Sequence, residues 1–261
     1  MENRRRRRLA GRLAALVIVI AGCQAAAPTA SPIEDPKEIL AQTLLSLKDV
    51  QTIRLAGEVT GQVRAMGLEL DLEGTRIEGA IDVAGEKTRL SVSAPALMGT
   101  AGELISLDGA TYLKLTGPIA GLIGADPGGR YLKQDIDSVD GAPGDIASDP
   151  QKAIDGLRAM LDLLPVTPRK APDDRCGDRV CYHLTMTLTR SELEAMDPTA
   201  ETLPQSIDFE LYTQKDDLRP AIILVAINDE AGLGTFRMQF MMAYDGAVSI
   251  EAPPADQVVE Q

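Results

Sequence analysis

The sequence predicts an α+β fold in which a long antiparallel meander of strands turns one apolar face toward a few amphipathic helices. Three observations predict it. Over most of the chain from Thr52 to Tyr244 apolar residues recur with period two, the mark of half-buried strands. The alternating runs are separated by short Gly- and Asp-bearing turns rather than helical crossovers, so successive strands are antiparallel. Asp35-Pro36 and Asp149-Pro150 each open a stretch with apolar residues at helical spacing, an Asp cap with Pro at the first helical position.

The chain begins with a different kind of signal. Five arginines (Arg4 to Arg8) and Arg12 lead into the apolar run Leu13 to Ala21, followed by Gly22 and Cys23. A basic region, a short apolar region and small residues before a cleavage point make a secretory signal over 1–22, and the apolar run falls short of the ~20 residues that span a bilayer. Cys23 directly after Ala21-Gly22 is where a lipoprotein signal places the residue that receives its lipid (palmitate or a similar acyl chain). Residues 23–34 are small, polar and Pro-bearing, a flexible tether.

The first helix is expected over about 36–48, with Ile39, Leu40, Leu44, Leu47 and Val50 on one face and Glu38 three residues after the Asp35 cap. From Thr52, Ile53, Leu55, Gly57, Val59, Gly61 and Val63 alternate with polar residues. Leu68, Leu70 and Leu72 do the same after Met66-Gly67, and the phase flips at Gly74, which predicts a bulge or tight turn there. Thr88, Leu90 and Val92 form the next strand, and Asp108-Gly109 centres a hairpin within 103–115. Residues 117–129 read as an irregular, partly apolar loop or a short helix, 137–149 as a Gly-, Pro- and Asp-bearing stretch, and 150–164 as a second helix stopped by Pro165. Residues 165–174 read as a polar, Pro-rich connector. Beyond them come a strand with Leu184 and Met186 on one face, a short helix opened by Thr189-Arg190-Ser191-Glu192, and strands over about 205–213, 219–228 and 234–244. The second of these is apolar on both faces around Ile222 to Ile227 and is expected to be central and covered on both sides. Residues 248–254 form a last extended piece and 255–261 a tail.

Composition excludes several functions. The formal net charge is −13, and it becomes more negative once the arginine-rich signal is removed. So acidic a chain does not bind nucleic acid through its overall field, and it is repelled by anionic lipid headgroups. The lipid on Cys23 is then the expected membrane attachment. Trp is absent and aromatic residues make up 3%, so the core is aliphatic.

Candidate chemistry is sparse. Cys176, Cys181 and His183 are the one cluster of metal-ligand types, but the spacing is not a common zinc pattern and a fourth ligand is missing. Two Cys flanking a Gly-Asp turn in an exported chain point instead to a disulfide. His183, the sole histidine, sits on the polar face of its strand, where it is expected to be exposed and idle. No nucleophile elbow or phosphate loop occurs, so no enzyme activity, cofactor or metal is expected. The apolar strand faces are the more informative feature. Ile53, Leu55, Val59, Val63, Leu68, Leu70, Leu90, Val92, Ile223, Val225, Met238, Phe240 and Met242 are candidates to line an apolar cavity, Met being an adaptable filler at binding surfaces. Periodicity fits equally a solid core, which would make the protein a structural or interaction module of an envelope complex.

The element order also carries a resemblance. A lipobox and short tether lead through an Asp-Pro-x-Glu helix into a long strand (Val50 to Val63). Leu107-Asp108-Gly109-Ala110-Thr111-Tyr112-Leu113-Lys114-Leu115 forms a central hairpin, and the last strand runs into Tyr244-Asp245-Gly246 and Val248-Ser249-Ile250-Glu251-Ala252-Pro253-Pro254. The chain resembles the LppX/LprA/LprF/LprG lipoproteins over roughly 35–254, with an architecture shared by LolA- and LolB-type carriers. The resemblance implies one domain, a strongly curved antiparallel sheet (half-barrel) wrapping over helices around an apolar cavity. It implies that acylated lipid or lipoprotein is the cargo, bound and transferred by a monomer. The protein would be anchored to the extracytoplasmic face of the cell membrane, or to the outer membrane where the cell has one. The lack of Trp and the Cys176/Cys181 pair depart from the family.

Overall fold

The fold is built outward from one strand. In the computed structural model, which describes residues 32–65, 68–118, 120, 128–135, 166–196, 203–229 and 232–260, β1 (Thr52–Ala65) lies in the middle of the sheet. On one side it pairs with β2 (Leu68–Asp71) and β3 (Thr75–Asp82), followed outward by β4 (Lys87–Ala94), β5 (Thr100–Leu107), β6 (Ala110–Thr116) and β7 (Tyr131–Asp135). Beyond β7 the other strands are β8 (Arg169–Cys176), β9 (Arg179–Thr189), β10 (Ser206–Gln214), β11 (Pro220–Asp229), β12 (Gly234–Tyr244) and β13 (Val258–Glu260). On its other side β1 pairs with β12, and β11, β10, β9 and β8 follow in turn. The result is one large curved sheet, antiparallel except at β13, that does not close on itself. Residues Glu34–Gln261 form a single compact unit.

Helix α1 (Pro36–Ser46) starts as expected. Asp35 caps it by accepting from the Lys37 N–H at 2.9 Å, Pro36 occupies its first turn, and the 3-10 turn Leu47–Asp49 continues it toward β1. Thr189 and Glu192 form the expected capping pair of α2 (Arg190–Met196), the Thr189 N–H donating to Glu192 at 2.7 Å.

Alternation along β1 and β12 sorts the two faces. Ile53, Leu55, Gly57, Val59, Gly61 and Val63 share the inner face, the one toward α1, with Phe236, Met238, Phe240, Met242 and Tyr244 directly across the ladder. The intervening Arg54, Glu58, Arg237 and Gln239 face outward and are exposed. Small residues let this face curve. Phe240 lies over Gly57, where a Cβ would sit 2.6 Å from its ring, and Leu55 and Leu90 crowd Gly79 in the same way. The phase flip at Gly74 is a real irregularity: β2 and β3 both pair with β1, and Leu72 to Gly74 bulge out between them, with Leu72 N–H bonded to Gly61 O at 2.9 Å.

Beyond β12 the chain crosses the outer face of the β3–β7 half. Asp245 sets the turn: its backbone N–H reaches Thr52 O at 3.0 Å, and its carboxylate takes the Gln51 N–H at 3.1 Å and Arg219 at 2.5 Å. The Gln51 N–H, then Arg219, hold that carboxyl below the usual range. Ile250 then buries itself with Ile105, Leu107 and Tyr131, and β13 joins β7 as a parallel edge. Tyr131 bonds Glu103, and burial followed by that carboxylate pushes its phenol up to about 12.

Several expectations need correction. Residues 165–174 are not simply a connector, because Arg169–Cys176 form β8. It is an edge strand, and Pro172 falls where its register with β9 shifts between Ala171 and Asp174, a place that asks for no ladder N–H from Pro. β7 and β13 carry no clear signal in the sequence, and the 255–261 tail supplies β13. β11 is central, with Leu224 on its outer face buried, yet Ile223, Val225 and Ile227 on its inner face are only half-buried. The second helix expected over 150–164, the signal 1–22, Cys23 and most of the tether lie outside the described residues.

Gly61 tests the register of β1 on β12. Its φ is +103° and a Cβ would lie 2.4 Å from Thr235 O, whereas Gly74 has φ +74° with nothing within 4 Å. Gly74→Ala should cost about 1 kcal/mol of backbone strain alone. Gly61→Ala should cost upward of about 3 kcal/mol, since strain and a backbone clash add. Urea midpoints at unchanged slope measure both; equal costs would show that the close approach of β1 to β12 is absent.

Candidate functional site: an apolar cavity beneath the first helix

Because α1 leads directly into β1, the pairing of β1 with β12 sets the helix against the inner face of β9 to β12. Two polar contacts pin it there. Thr43 Oγ1 donates to Ile39 O at 2.8 Å and meets Thr213 Oγ1 on β10 at 3.0 Å; both threonines are fully buried. Ser46 Oγ meets Leu218 O at 2.9 Å, in the turn between β10 and β11. These contacts hold the helix at its middle and its end, and the apolar side chains between do not fill the space below.

The space left is a cavity of about 220 Å³. Leu40, Thr43, Leu44 and Leu47 roof it, and Ile53, Ile223, Met242 and Tyr244 contribute from β1, β11 and β12. Leu184, Met186, Phe209 and Leu211 complete the floor from β9 and β10, with Pro168 and Pro220 at its margins. Tyr244 turns its hydroxyl away to Pro220 O at 2.7 Å, and burial raises its pKa. Thr185 and Glu210 also reach the wall, but Glu210 turns its carboxylate to His183 and Tyr212, at 3.0 Å each, and no polar atom faces the cavity. At ~30 Å³ per water molecule the volume equals about seven waters, room for a segment of one acyl chain, since a methylene occupies similar space.

Of the residues singled out from sequence, Ile53, Ile223 and Met242 lie on the cavity wall. Leu55, Val59, Val63, Leu70, Leu90, Val92, Val225, Met238 and Phe240 occupy inner-face positions elsewhere on the sheet, nearly all half-buried. The side chain of Leu68 lies outside the described residues. Leu184, Met186, Phe209 and Leu211 were readable from the same period-two pattern. Thr43 and Pro168 left no sequence signal, since neither is apolar in the pattern that marks a lining face.

Charge gathers at one margin. Lys170 on β8 stands directly across from Leu184, a cavity residue, and pairs with Glu34 at 2.7 Å. Its ammonium lies 5.6 Å from the centre of the Tyr182 ring, and that of Lys215, paired with Asp173, lies 4.7 Å from it. Glu34 raises the Lys170 pKa above its ordinary value.

On the outer face Cys176 and Cys181 form a disulfide across the Gly177-Asp178 turn, their Cα atoms 5.9 Å apart. His183 is not idle and exposed: its side chain is 15% accessible, stacks on Tyr212 with ring centres 4.2 Å apart, and bonds Glu210 at 3.0 Å. Burial and then Glu210 push Tyr212 up to about 12. Among the described residues no group of three or more His, Cys, Asp or Glu is placed to hold a metal ion.

No family model matches the sequence, and no curated protein does. Solved structures are similar. LprF from Mycobacterium bovis matches 84% of this chain and 96% of its own at 12% identity, with a TM-score of 0.51. The lipoprotein LppX from Mycobacterium tuberculosis matches 82% of this chain and 97% of its own at 12% identity, with a TM-score of 0.49. A LolA-superfamily protein from Nitrosomonas europaea matches 86% of this chain and 97% of its own at 11% identity, with a TM-score of 0.28. The likeness to LprF shows a common fold: this chain has an LprF-like architecture, a curved open sheet over helices.

The buried threonine pair tests how α1 is held. Thr43→Val should strand the Thr213 hydroxyl in an apolar interior and cost about 1–3 kcal/mol. Adding Thr213→Val should recover most of that loss, because no orphaned donor remains. A double variant as unstable as the sum of two damaging singles would mean that the threonines do not meet.

Proposed function

We propose that this protein binds the acyl chain of a lipid between α1 and the inner face of the sheet, and carries it within the cell envelope while its own lipid on Cys23 holds it at the membrane. The carrying observation is the cavity: about 220 Å³, walled by aliphatic, Met and aromatic side chains, with its buried hydroxyls already satisfied. Such a space stays dry and takes an apolar guest. A structural module with a solid interior would leave no such space. The shared fold with LprF and the lipobox at Ala21-Gly22-Cys23 support the same reading.

The magnitudes bound what is held. Ligand sites usually span ~300–1,000 Å³, so this cavity accepts part of one chain rather than several whole ones. Each methylene buried contributes ~0.8 kcal/mol, against an association cost of ~4 kcal/mol or more, so a short segment binds weakly. Tighter binding draws on the half-buried inner face beyond α1, where Met238 and Phe240 lie. The acidic surface keeps the protein from adsorbing to anionic bilayers, which leaves the acyl anchor and the tether to set its distance from the lipid source. The protein acts as a monomer without covalent chemistry, its cargo an acylated lipid or lipoprotein.

Two measurements test this. Protein expressed with Cys23→Ser should leave the membrane fraction and bind a fluorescent fatty-acyl probe, and Ile223→Trp, which fills the floor, should weaken the probe at least about tenfold, ~1.4 kcal/mol. A folded, lipid-free protein that ignores the probe would refute acyl binding; persistence in the membrane fraction would refute anchoring through Cys23.

A further inference from the structure

The inner face carries one charge that a purely apolar site does not call for. Along β1, β3, β4, β9, β10 and β12 the inner positions are apolar or small, and the one carboxylate at an inner position of β11, Asp229, caps its own turn by accepting from the Leu233 N–H at 2.8 Å. On β8 the inner position across from Leu184 is Lys170, two residues beyond Pro168 on the cavity wall. Its side chain is 17% accessible. Most of its stem is covered, and its ammonium emerges at the margin of the site beside a carboxylate partner. The partner is Glu34, itself 76% accessible, so the lysine is built into the margin of the site while its carboxylate hangs in solvent. An ion pair with one member so exposed is weakly held. Lys215, near the same Tyr182 ring, keeps Asp173, which is also within electrostatic reach of Lys170. That neighbouring carboxylate disfavours a doubly charged guest.

We infer that Lys170 receives the singly charged anionic head, a carboxylate or phosphate monoanion, of a single-chain amphiphile whose tail enters the cavity, Glu34 giving up the ammonium as the head arrives. The inference rests on the acyl-binding reading and adds to it the head chemistry and the chain number. One tail follows from the volume. An anionic head follows from the position of Lys170 beside that tail, where its ammonium offers a charge-assisted hydrogen bond. The exchange of Glu34 for the ligand head moves no net charge into the margin, so the ammonium is compensated before and after.

Calorimetric titration of the full chain carrying Cys23→Ser, with dodecanoate, methyl dodecyl phosphate (a diester that stays a monoanion) and 1-dodecanol, separates head from tail. Laurate or the phosphate should bind more tightly than the alcohol. Lys170→Gln should weaken the anionic chain about tenfold and leave dodecanol within about twofold, Lys170→Arg should restore the anion, and Glu34→Gln should tighten it. Retained dodecanol binding shows that the variants fold. Equal effects of Lys170→Gln on the anion and the alcohol, or no effect on either, would overturn the head site and leave acyl binding standing. Failure of the unsubstituted protein to bind any of the three would overturn acyl binding itself.

Discussion

The structure depends on the pairing of β1 with β12. That ladder runs from Ile53 opposite Tyr244 to Val63 opposite Gly234 and joins residues from opposite ends of the folded chain. On either side of it lie local meanders, each strand turning into its neighbour, whose contacts form at little entropic cost. The long-range ladder is what makes them one sheet. It is fitted for close approach: Gly61 and Gly234 take positive φ where a side chain would strike the opposing backbone, and Asp245 ties the end of β12 to the residues that open β1.

The same ladder creates the site. α1 belongs by sequence to the start of β1, but it rests on β9 to β12, because β1 has been carried to that half of the sheet. Two polar pins, Thr43 with Thr213 and Ser46 with Leu218 O, fix its height over a floor of Leu, Ile, Met and Phe side chains. Satisfied hydrogen bonds in an apolar interior are specific in direction in a way that dispersion contacts are not, so the helix is located by its pins and the remaining volume stays open. The outer face is treated differently. There the segment after Asp245 covers Ile105 and Leu107 with Ile250, and the disulfide, His183, Tyr212 and Glu210 close the other half with small, fully partnered clusters.

How much of this was legible follows from the range of the forces involved. The period-two strands, the Asp35 and Thr189 helix starts and the bulge at Gly74 are local, and the sequence displays them. The inner-face set from Ile53 to Met242 was legible as a face for the same reason. Which part of that face lies under α1 was not, because it depends on the β1–β12 ladder, a contact between distant residues. β8 was hidden because an edge strand tolerates Pro172 and charge, which read as a loop. β13 was hidden because three residues carry no period. His183 looked solvated because its strand alternation ignores Tyr212 and Glu210, its neighbours on the next strand. Lys170 looked like one charge in a polar connector until its register against Leu184 placed it on the inner face.

The central claim is spatial: an acyl chain lies between α1 and the sheet. Nuclear Overhauser contacts between 1-dodecanol and selectively labelled Leu, Ile and Met methyls address it directly. Contacts to Leu40, Leu44, Ile223 and Met242, which meet at the cavity, are expected. Contacts confined to outer-face methyls such as Met241 and Ile222, with none to the four cavity residues, would contradict it.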